Sequence, residues 1–246
     1  MLLGLGSLLV SLVLADRVET DAKGVPLAAP EATVDRVAYS YQRNAIDRME
    51  QLIASGRMAD QEAAMLERLA RLQWEHAEIT FRVAHAEAYT QKRAIALASY
   101  HQILGQLVLT VSRIIDRHPT SAALPTAFLL RGKAHTELGN KDQAYNDFKV
   151  LVERYPQAPM AANAYMALGE YAFQAQRFAE AVGYFQKLLG RKQEAEANFA
   201  LRRLAWSYYN LGDLNAAFQY LKNYLASQGK EGREPDTFED IAAFYI

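Results

Sequence analysis

The fold is decided by residues 118–189, which read HPTSAALPTAFLLRGKAHTELGNKDQAYNDFKVLVERYPQAPMAANAYMALGEYAFQAQRFAEAVGYFQKLL. Two parts of this stretch are alike, because residues 128–132 (FLLRG) are followed 37 positions later by residues 165–169 (YMALG). A third copy, residues 201–205 (LRRLA), begins 36 positions after the second. A regular period of this length is typical of proteins that stack repeated units of supersecondary structure.

Small and large residues keep the same period along the rest of each unit. Small residues let two helices approach closely, and the large residue four positions further on fills the space between units. Gly139-Asn140 and Gly212-Asp213 tolerate the left-handed backbone that ends a helix. Each unit is therefore predicted to be a helix, a tight turn and a second helix. The predicted repeat-packing positions are Gly132, Ala144, Phe148, Gly169, Ala181, Phe185, Ala205, Ala217 and Leu221.

This pattern resembles the tetratricopeptide repeat (TPR), whose units read W/F/Y-x2-L-G-x2-Y, A-x3-F and a closing Pro. Three such units fit residues 119–228, although His135 and Ala172 replace the usual Tyr and Gln193 replaces the last Pro. The resemblance implies an all-α fold, a TPR-like α-solenoid of antiparallel helix hairpins preceded by long helices. The YPQA junction is similar to those of envelope-type TPR proteins of Gram-negative bacteria, such as the TolA-associated cell-division coordinator, outer-membrane assembly lipoproteins and gliding-motility TPR proteins.

The regions outside these repeats are predicted to differ in kind. Residues 1–15 (MLLGLGSLLVSLVLA) are apolar, too short to span a bilayer, and resemble a signal peptide; a buried N-terminal helix is the alternative. Residues 16–36 are interpreted as a linker. Residues 37–118 are predicted to be a long helical region that ends in a degenerate repeat, with a break expected at Tyr89 to Lys92. Residues 229–246 are predicted to be a loop followed by a capping helix or by a truncated one.

Composition excludes several classes of function. The 27 Lys and Arg residues balance 28 Asp and Glu residues in both halves of the chain, so no basic surface for nucleic acid is expected. The chain has no Cys, which excludes disulfides, thiolate metal sites and lipid-modified cysteines. No metal-ligand, phosphate-binding or nucleophile motif is present, and His76 is interpreted as a core or interface residue. We therefore predict no enzymatic activity, no cofactor and no small-molecule substrate.

What remains is a binding surface. In the resembled family the first helix of each unit lines a concave groove, which here implies Thr126, Leu129, Lys133, Thr136 and Glu137, then Asn163, Met166, Glu170, Phe173 and Gln174, then Phe199, Arg202, Trp206, Tyr209 and Asn210. Aromatic and Arg side chains are enriched in binding hot spots. Alternatively, Phe199 and Trp206 pack against the helix that follows them.

The resulting hypothesis is a non-catalytic interaction scaffold of the bacterial cell envelope, located in the periplasm if residues 1–15 are a signal peptide. It would hold an extended or helical segment of a partner protein. Membrane association would come only through partners or through an uncleaved N-terminus. The alternative is a structural subunit of a larger envelope machine for motility, secretion or division, stacked against neighbouring subunits.

Overall fold

The structure is a computed structural model, and it describes residues 30–92, 94–191 and 194–227. Over these ranges the chain contains nine α-helices, one short 3-10 helix and no β-strand. Helices that are neighbours in sequence pack as hairpins, so the predicted all-α fold of the solenoid class is confirmed. The helices are α1 (Pro30–Ala54), α2 (Glu62–Thr90), α3 (Ala98–Arg117), α4 (Leu124–Glu137), α5 (Lys141–Arg154), α6 (Ala161–Gln174), α7 (Phe178–Leu189), α8 (Glu194–Asn210) and α9 (Leu214–Ser227), with the 3-10 helix at Ala59–Gln61.

The chain divides into two compact units, with the boundary inside α5 between Asp147 and Phe148. We call the described part of the first the N-terminal unit (residues 30–147) and that of the second the C-terminal unit (residues 148–227).

Long helices dominate the N-terminal unit, as predicted. Residues 62–90 contain neither Gly nor Pro, and α2 runs through all of them before it ends at Thr90, inside the predicted break. The helix α1 packs on α2 through an ion pair between Asp35 and Arg82 (2.9 Å). The aliphatic faces of α2 and α3 form the core of this unit, whose deepest side chains include Leu66, Leu104, Leu107 and Val111.

The predicted linker 16–36 is wrong over its last seven residues, because α1 begins at Pro30. Proline suits the first turn of a helix, where its missing N–H has no intrahelical acceptor. The remaining linker residues, the signal-like residues 1–15 and the C-terminal residues 229–246 lie outside the described ranges.

In the C-terminal unit, the three consecutive helices α6, α7 and α8 pack closely against one another. Gly169 of α6 faces Phe185 of α7, where a Cβ on residue 169 would overlap the phenyl ring, with Cδ1 only 2.7 Å away. Phe185 in turn meets Phe199 of α8 edge to face at 5.9 Å. The last hairpin, α8 and α9, closes around a cluster of Leu201, Ala205, Ala217, Leu221 and Tyr224.

The turns form as the Gly pairs predict. Gly139 and Gly212 both have φ +80°, the left-handed conformation that other residues adopt only at a cost. After each glycine the next N–H reaches back to a carbonyl of the preceding helix, Asn140 to His135 (2.8 Å) and Asp213 to Tyr208 (3.0 Å). Asp213 also accepts a hydrogen bond from the Ala216 N–H (3.0 Å) and so begins α9.

The junction between α5 and α6 is held by a distant side chain. The guanidinium of Arg191, which follows α7, donates to the carbonyl oxygens of Pro156 (2.7 Å) and Ala158 (2.8 Å). The loop that the YPQA residues form is therefore tied to the end of the next hairpin.

Within the described residues, every helix is either too short or too polar to cross a lipid bilayer.

Candidate functional site

The repeat-packing positions lie where close helix contact requires them. All nine predicted residues, from Gly132 to Leu221, are buried. The predicted groove residues are less uniform. Some are exposed, and others contact the first helix of the neighbouring hairpin.

In the N-terminal unit, Lys133 of α4 lies against α2. Its Nζ is 4.5 Å from the centroid of the Trp74 ring, and the Trp74 indole N–H donates to Glu78 (2.7 Å). Burial lowers the pKa of Lys133, and the carboxylates of Glu78 and Glu137 oppose that change. A lysine held over an aromatic face and between two carboxylates serves to join the two helices.

The other predicted residues of α4 are also engaged. Glu137 accepts a hydrogen bond from the Tyr100 hydroxyl (2.9 Å), and burial together with this carboxylate raises the pKa of Tyr100. Thr126 is buried and accepts a hydrogen bond from Arg71 of α2 (3.1 Å). Leu129 and Thr136 are half-buried, and the Thr136 hydroxyl donates to the Gly132 carbonyl.

In the C-terminal unit, Glu170 of α6 is a correction to the predicted groove, because it is only 1% exposed. Arg203 of α8 donates to its carboxylate at 2.8 Å. Burial raises the pKa of Glu170, although the charge and hydrogen bond of Arg203 act in the opposite direction. A carboxylate in this position needs a cationic partner, and α8 supplies it.

The guanidinium of Arg203 also lies between two aromatic rings. Its central carbon is 5.0 Å from the ring centroid of Phe173 and 5.6 Å from that of Phe199. We call this group the Arg203 platform; it consists of Glu170, Phe173, Phe199 and Arg203. The side chain of Arg203 is still about one-third exposed (32%), so the platform reaches the surface of the unit.

The predicted groove residues of α8 near its C-terminus form an aromatic pair. Trp206 and Tyr209 are half-buried, meet edge to face at 5.7 Å, and pack on the core cluster of α8 and α9. Asn210 is exposed, and its side-chain amide donates to the Trp206 carbonyl (2.8 Å). The remaining predicted positions are exposed (Asn163 and Gln174) or half-buried (Met166 and Arg202).

Two residues that the sequence analysis missed, Trp74 and Arg203, hold the first helices together. Arg203 had a signal: Glu170 is the one charged residue of α6, whose sequence is AANAYMALGEYAFQ, so a cation from another helix had to face it. No sequence signal identified Trp74, because α2 lies outside the residues that follow the repeat period.

The ionisable groups give no sign of a metal centre. Over the described residues, His, Asp and Glu never gather in a group of three that could hold a metal ion. His76 is buried with its ring 4.5 Å from that of Tyr39, and burial lowers its pKa. This agrees with the prediction of a core or interface histidine.

Comparison with known proteins agrees with this geometry. A family model described as tetratricopeptide repeat matches residues 126–158 and 199–228, which include most of α4 with α5 and most of α8 with α9. The outer membrane protein assembly factor BamD of Xylella fastidiosa (strain 9a5c) is 26% identical over 180 residues. That match covers 61% of this chain, and the chain spans 62% of the length of the relative.

A solved structure shares the fold. The crystal structure of BtubC (BKLC) from P. vanneervenii has a TM-score of 0.55 at 15% identity, and the match covers 83% of each chain. The crystal structure of a MamA protein has a TM-score of 0.46 at 14% identity, covering 76% of this chain and 93% of that one.

Together with the helix hairpins, these findings define the molecule as a helical-repeat protein. Within that class, residues 126–158 and 199–228 match the tetratricopeptide repeat.

Proposed function

We propose that this chain is a non-catalytic scaffold of the bacterial cell envelope, and that it binds a segment of a partner protein on the first helices of its hairpins. In the C-terminal unit the binding surface is centred on the Arg203 platform. The observation that carries the proposal is the geometry of that platform, in which a partly exposed guanidinium is fixed between Phe173 and Phe199 above a buried carboxylate.

The platform has the composition and the order that a binding surface needs. Aromatic and Arg side chains dominate the energetics of protein interfaces. An Arg that is already held by an ion pair and two rings loses little conformational freedom when a partner binds, so less of the contact energy is lost to ordering.

Polar and apolar positions surround the platform. Met166, Glu170 and Phe173 follow one stripe of α6 at spacings of four and three residues, so Met166 continues the platform along that helix. Asn163, one turn earlier and exposed, supplies a hydrogen-bonding group at the edge. Arg202, next to Arg203 on α8, is half-buried and adds a second cation. Such a surface fits an extended or helical segment with apolar side chains and hydrogen-bond acceptors.

The envelope location is supported by two observations. The relative from Xylella fastidiosa is named as an outer membrane protein assembly factor. The sequence of residues 1–15 has the length and apolar character of a secretory signal.

Site-specific photocrosslinking in the full-length chain tests the binding surface. A photoreactive phenylalanine analogue at Asn163 should give a discrete adduct with an envelope protein. The control is the same analogue at Gly183, an exposed position of α7 where a side chain meets nothing within 4 Å. Adducts of equal yield at both positions, or at Gly183 alone, would contradict the proposal.

A second candidate function is that of a structural subunit in a larger assembly, and the outer face of α1 favours it. Val37 and Tyr41, one turn apart on α1, are 53% and 72% exposed, and Leu52 lies on the same face three turns later. Light scattering distinguishes the two functions. A concentration-dependent oligomer that Tyr41→Lys dissociates would favour the subunit, whereas a monomer with the Asn163 adduct would favour the scaffold.

A further inference from the structure

We propose that a cavity in the N-terminal unit binds a small, uncharged aromatic ligand that carries a carbonyl group. The cavity has a volume of about 270 Å³. It is lined by the end of α1, the 3-10 helix, the start of α2 and Arg113 of α3. This inference does not rest on the proposed function, because none of the lining residues belongs to α4, to α6 or to the Arg203 platform.

The chain reversal after α1 builds one wall of the cavity. Gly56 has φ +67°, a left-handed conformation that glycine adopts at no steric cost, and its N–H donates to the Ile53 carbonyl (3.2 Å). Further along, the Gln61 N–H donates to the Met58 carbonyl (2.9 Å) and closes the 3-10 turn. Hydrogen bonds of the main chain therefore hold this wall in place, and the cavity is formed before a ligand binds.

Most of the lining is apolar, and it includes two of the six methionines of the chain, Met58 and Met65. Met65 is 9% exposed and Met58 is half-buried. A thioether packs favourably against the edge of an aromatic ring, and the unbranched side chain adapts to the shape of what it contacts. A cavity of roughly 150 Å³ holds benzene, so this one has room for a ring and about four further non-hydrogen atoms.

The lining also contains a buried donor that lacks an acceptor. Among the described residues, Arg113 Nε has no hydrogen-bond partner, although it is buried. A terminal nitrogen of the same guanidinium donates to the Glu62 carboxylate. Leaving a buried donor unsatisfied costs free energy. A ligand that presents an oxygen to Nε would therefore form a hydrogen bond that the chain itself does not make.

The charge of Arg113 is already balanced, which determines the charge of the ligand. Glu62 contacts Arg113 through one carboxylate oxygen and lies 2.9 Å from His118 Nε2 through the other. Burial raises the pKa of Glu62, but these hydrogen bonds and charges outweigh burial and hold the pKa below its ordinary value. Glu62 is thus negatively charged at neutral pH. It would repel a ligand carboxylate, whereas an uncharged carbonyl can accept from Nε without that repulsion.

NMR of the methionine methyl groups tests the site in the full-length chain. Propiophenone is titrated into protein labelled with carbon-13 at these methyl groups, with signals assigned through Met58→Leu and Met65→Leu. The Met58 and Met65 signals should shift to saturation, while those of Met160 and Met166 in the C-terminal unit stay in place. Unchanged signals from Met58 and Met65, or equal shifts at all four methionines, would overturn the proposal.

Arg113→Lys tests the hydrogen bond, because lysine keeps a cation beside Glu62 but has no second nitrogen. It should weaken the binding of propiophenone about tenfold. The binding of propylbenzene, in which a methylene group replaces the carbonyl, should not change. Arg117→Lys, one turn later at an exposed position of α3, is the matched control and should affect neither ligand. If Arg113→Lys changes the affinity of both ligands equally, or of neither, the carbonyl is not bound by Nε and the proposal fails.

Phenylacetate tests the charge of the ligand. It has as many non-hydrogen atoms as propiophenone but carries a carboxylate, so it should bind more weakly than propiophenone. Tighter binding of phenylacetate would contradict the proposal, because it would assign the cavity to an anion.

Discussion

Lys133 in the N-terminal unit and Glu170 in the C-terminal unit occupy the same place in consecutive repeats, 37 positions apart, yet carry opposite charges. Lys133 is flanked by the carboxylates of Glu78 and Glu137 and lies over Trp74. Glu170 is paired with Arg203, which lies between Phe173 and Phe199. In both units the charged side chain at this place meets opposite charge, and the cation of the group lies near an aromatic ring.

The difference between the two sites is one of solvent access. The carboxylate of Glu170 is deeply buried, so it depends on the single cation that an adjacent helix provides. Lys133 has a long aliphatic stem, two nearby carboxylates and an aromatic face, so its site tolerates the loss of one interaction better. The repeat therefore specifies a position at which a charged side chain contacts a neighbouring helix. The local sequence determines the sign of that charge and how much the stability of the contact depends on it.

Removal of Arg203 should have the largest effect on stability. Arg203→Met leaves the Glu170 carboxylate buried without its cation, and breaking such a pair costs about 3 kcal/mol. Urea unfolding of the purified chain measures the change. Arg202→Met, one position earlier, is the control and should cost about 1 kcal/mol or less. Equal losses for both variants would show that Glu170 does not depend on Arg203.

Gly169→Ala should have the next largest effect, because the new Cβ overlaps the buried ring of Phe185. Overpacking of this kind costs about 1–3 kcal/mol, which exceeds the gain in helix propensity. Gly183→Ala in α7 is the control, since nothing lies within 4 Å of its Cβ position. That variant should be more stable than the parent by roughly 0.5–1 kcal/mol. Thermal unfolding of both variants tests the contrast, which fails if both change in the same direction.

The pH dependence of stability should change in Glu170→Gln, by less than either of these effects. Burial raises the pKa of Glu170 above its ordinary value of 4.5, so the folded chain binds this proton more readily than the unfolded chain does. The contribution of Glu170 to stability is therefore greatest below pH 4.5 and falls as the pH rises through the raised pKa. Urea unfolding over a pH series should show the parent losing stability relative to Glu170→Gln across that window. A constant difference at every pH would contradict the assignment.

Lys133→Met should have the smallest effect. Methionine keeps most of the stem over Trp74 and loses only the cation–π contact and the attraction of the carboxylates, which together cost about 1 kcal/mol or less. The emission of Trp74 in a Trp206→Phe background reports the change at the ring. Lys141→Met, at an exposed position of the same unit, should change neither stability nor emission. A loss as large as that of Arg203→Met would remove the contrast between the two sites.

Much of the fold could be predicted because the repeat encodes it in small residues. The turns at Gly139 and Gly212 and the contact of Gly169 with Phe185 each follow from a residue type at a fixed phase. The start of α1 at Pro30 was not predicted, because scattered charges and a proline indicated a linker. A proline in a first turn has the opposite meaning, and only the helical stripe that follows it distinguishes the two cases.

The candidate site was less predictable than the fold. The position of Glu170 within the repeat assigned it to a concave surface. That position predicts which face of its own helix a side chain lies on, but it does not predict which residue of the neighbouring helix contacts it. The position of Arg203 depends on the register between α6 and α8, which the sequence reveals only through the need of Glu170 for a cation. Lys133 of α4 contacts Trp74 of α2, and the sequence repeat does not extend to α2. No sequence pattern therefore predicted that contact.

The hydrogen bonds from Arg191 to the Pro156 and Ala158 carbonyls also affect the order in which the chain can fold during synthesis. A ribosome releases residues 155–160 before the side chain that secures them, so this junction waits for more than thirty further residues. Until then the loop lacks these two hydrogen bonds, so it is more accessible to a protease than in the folded chain. This exposure ends once α7 and the Arg191 that follows it have been synthesised and the two hydrogen bonds have formed.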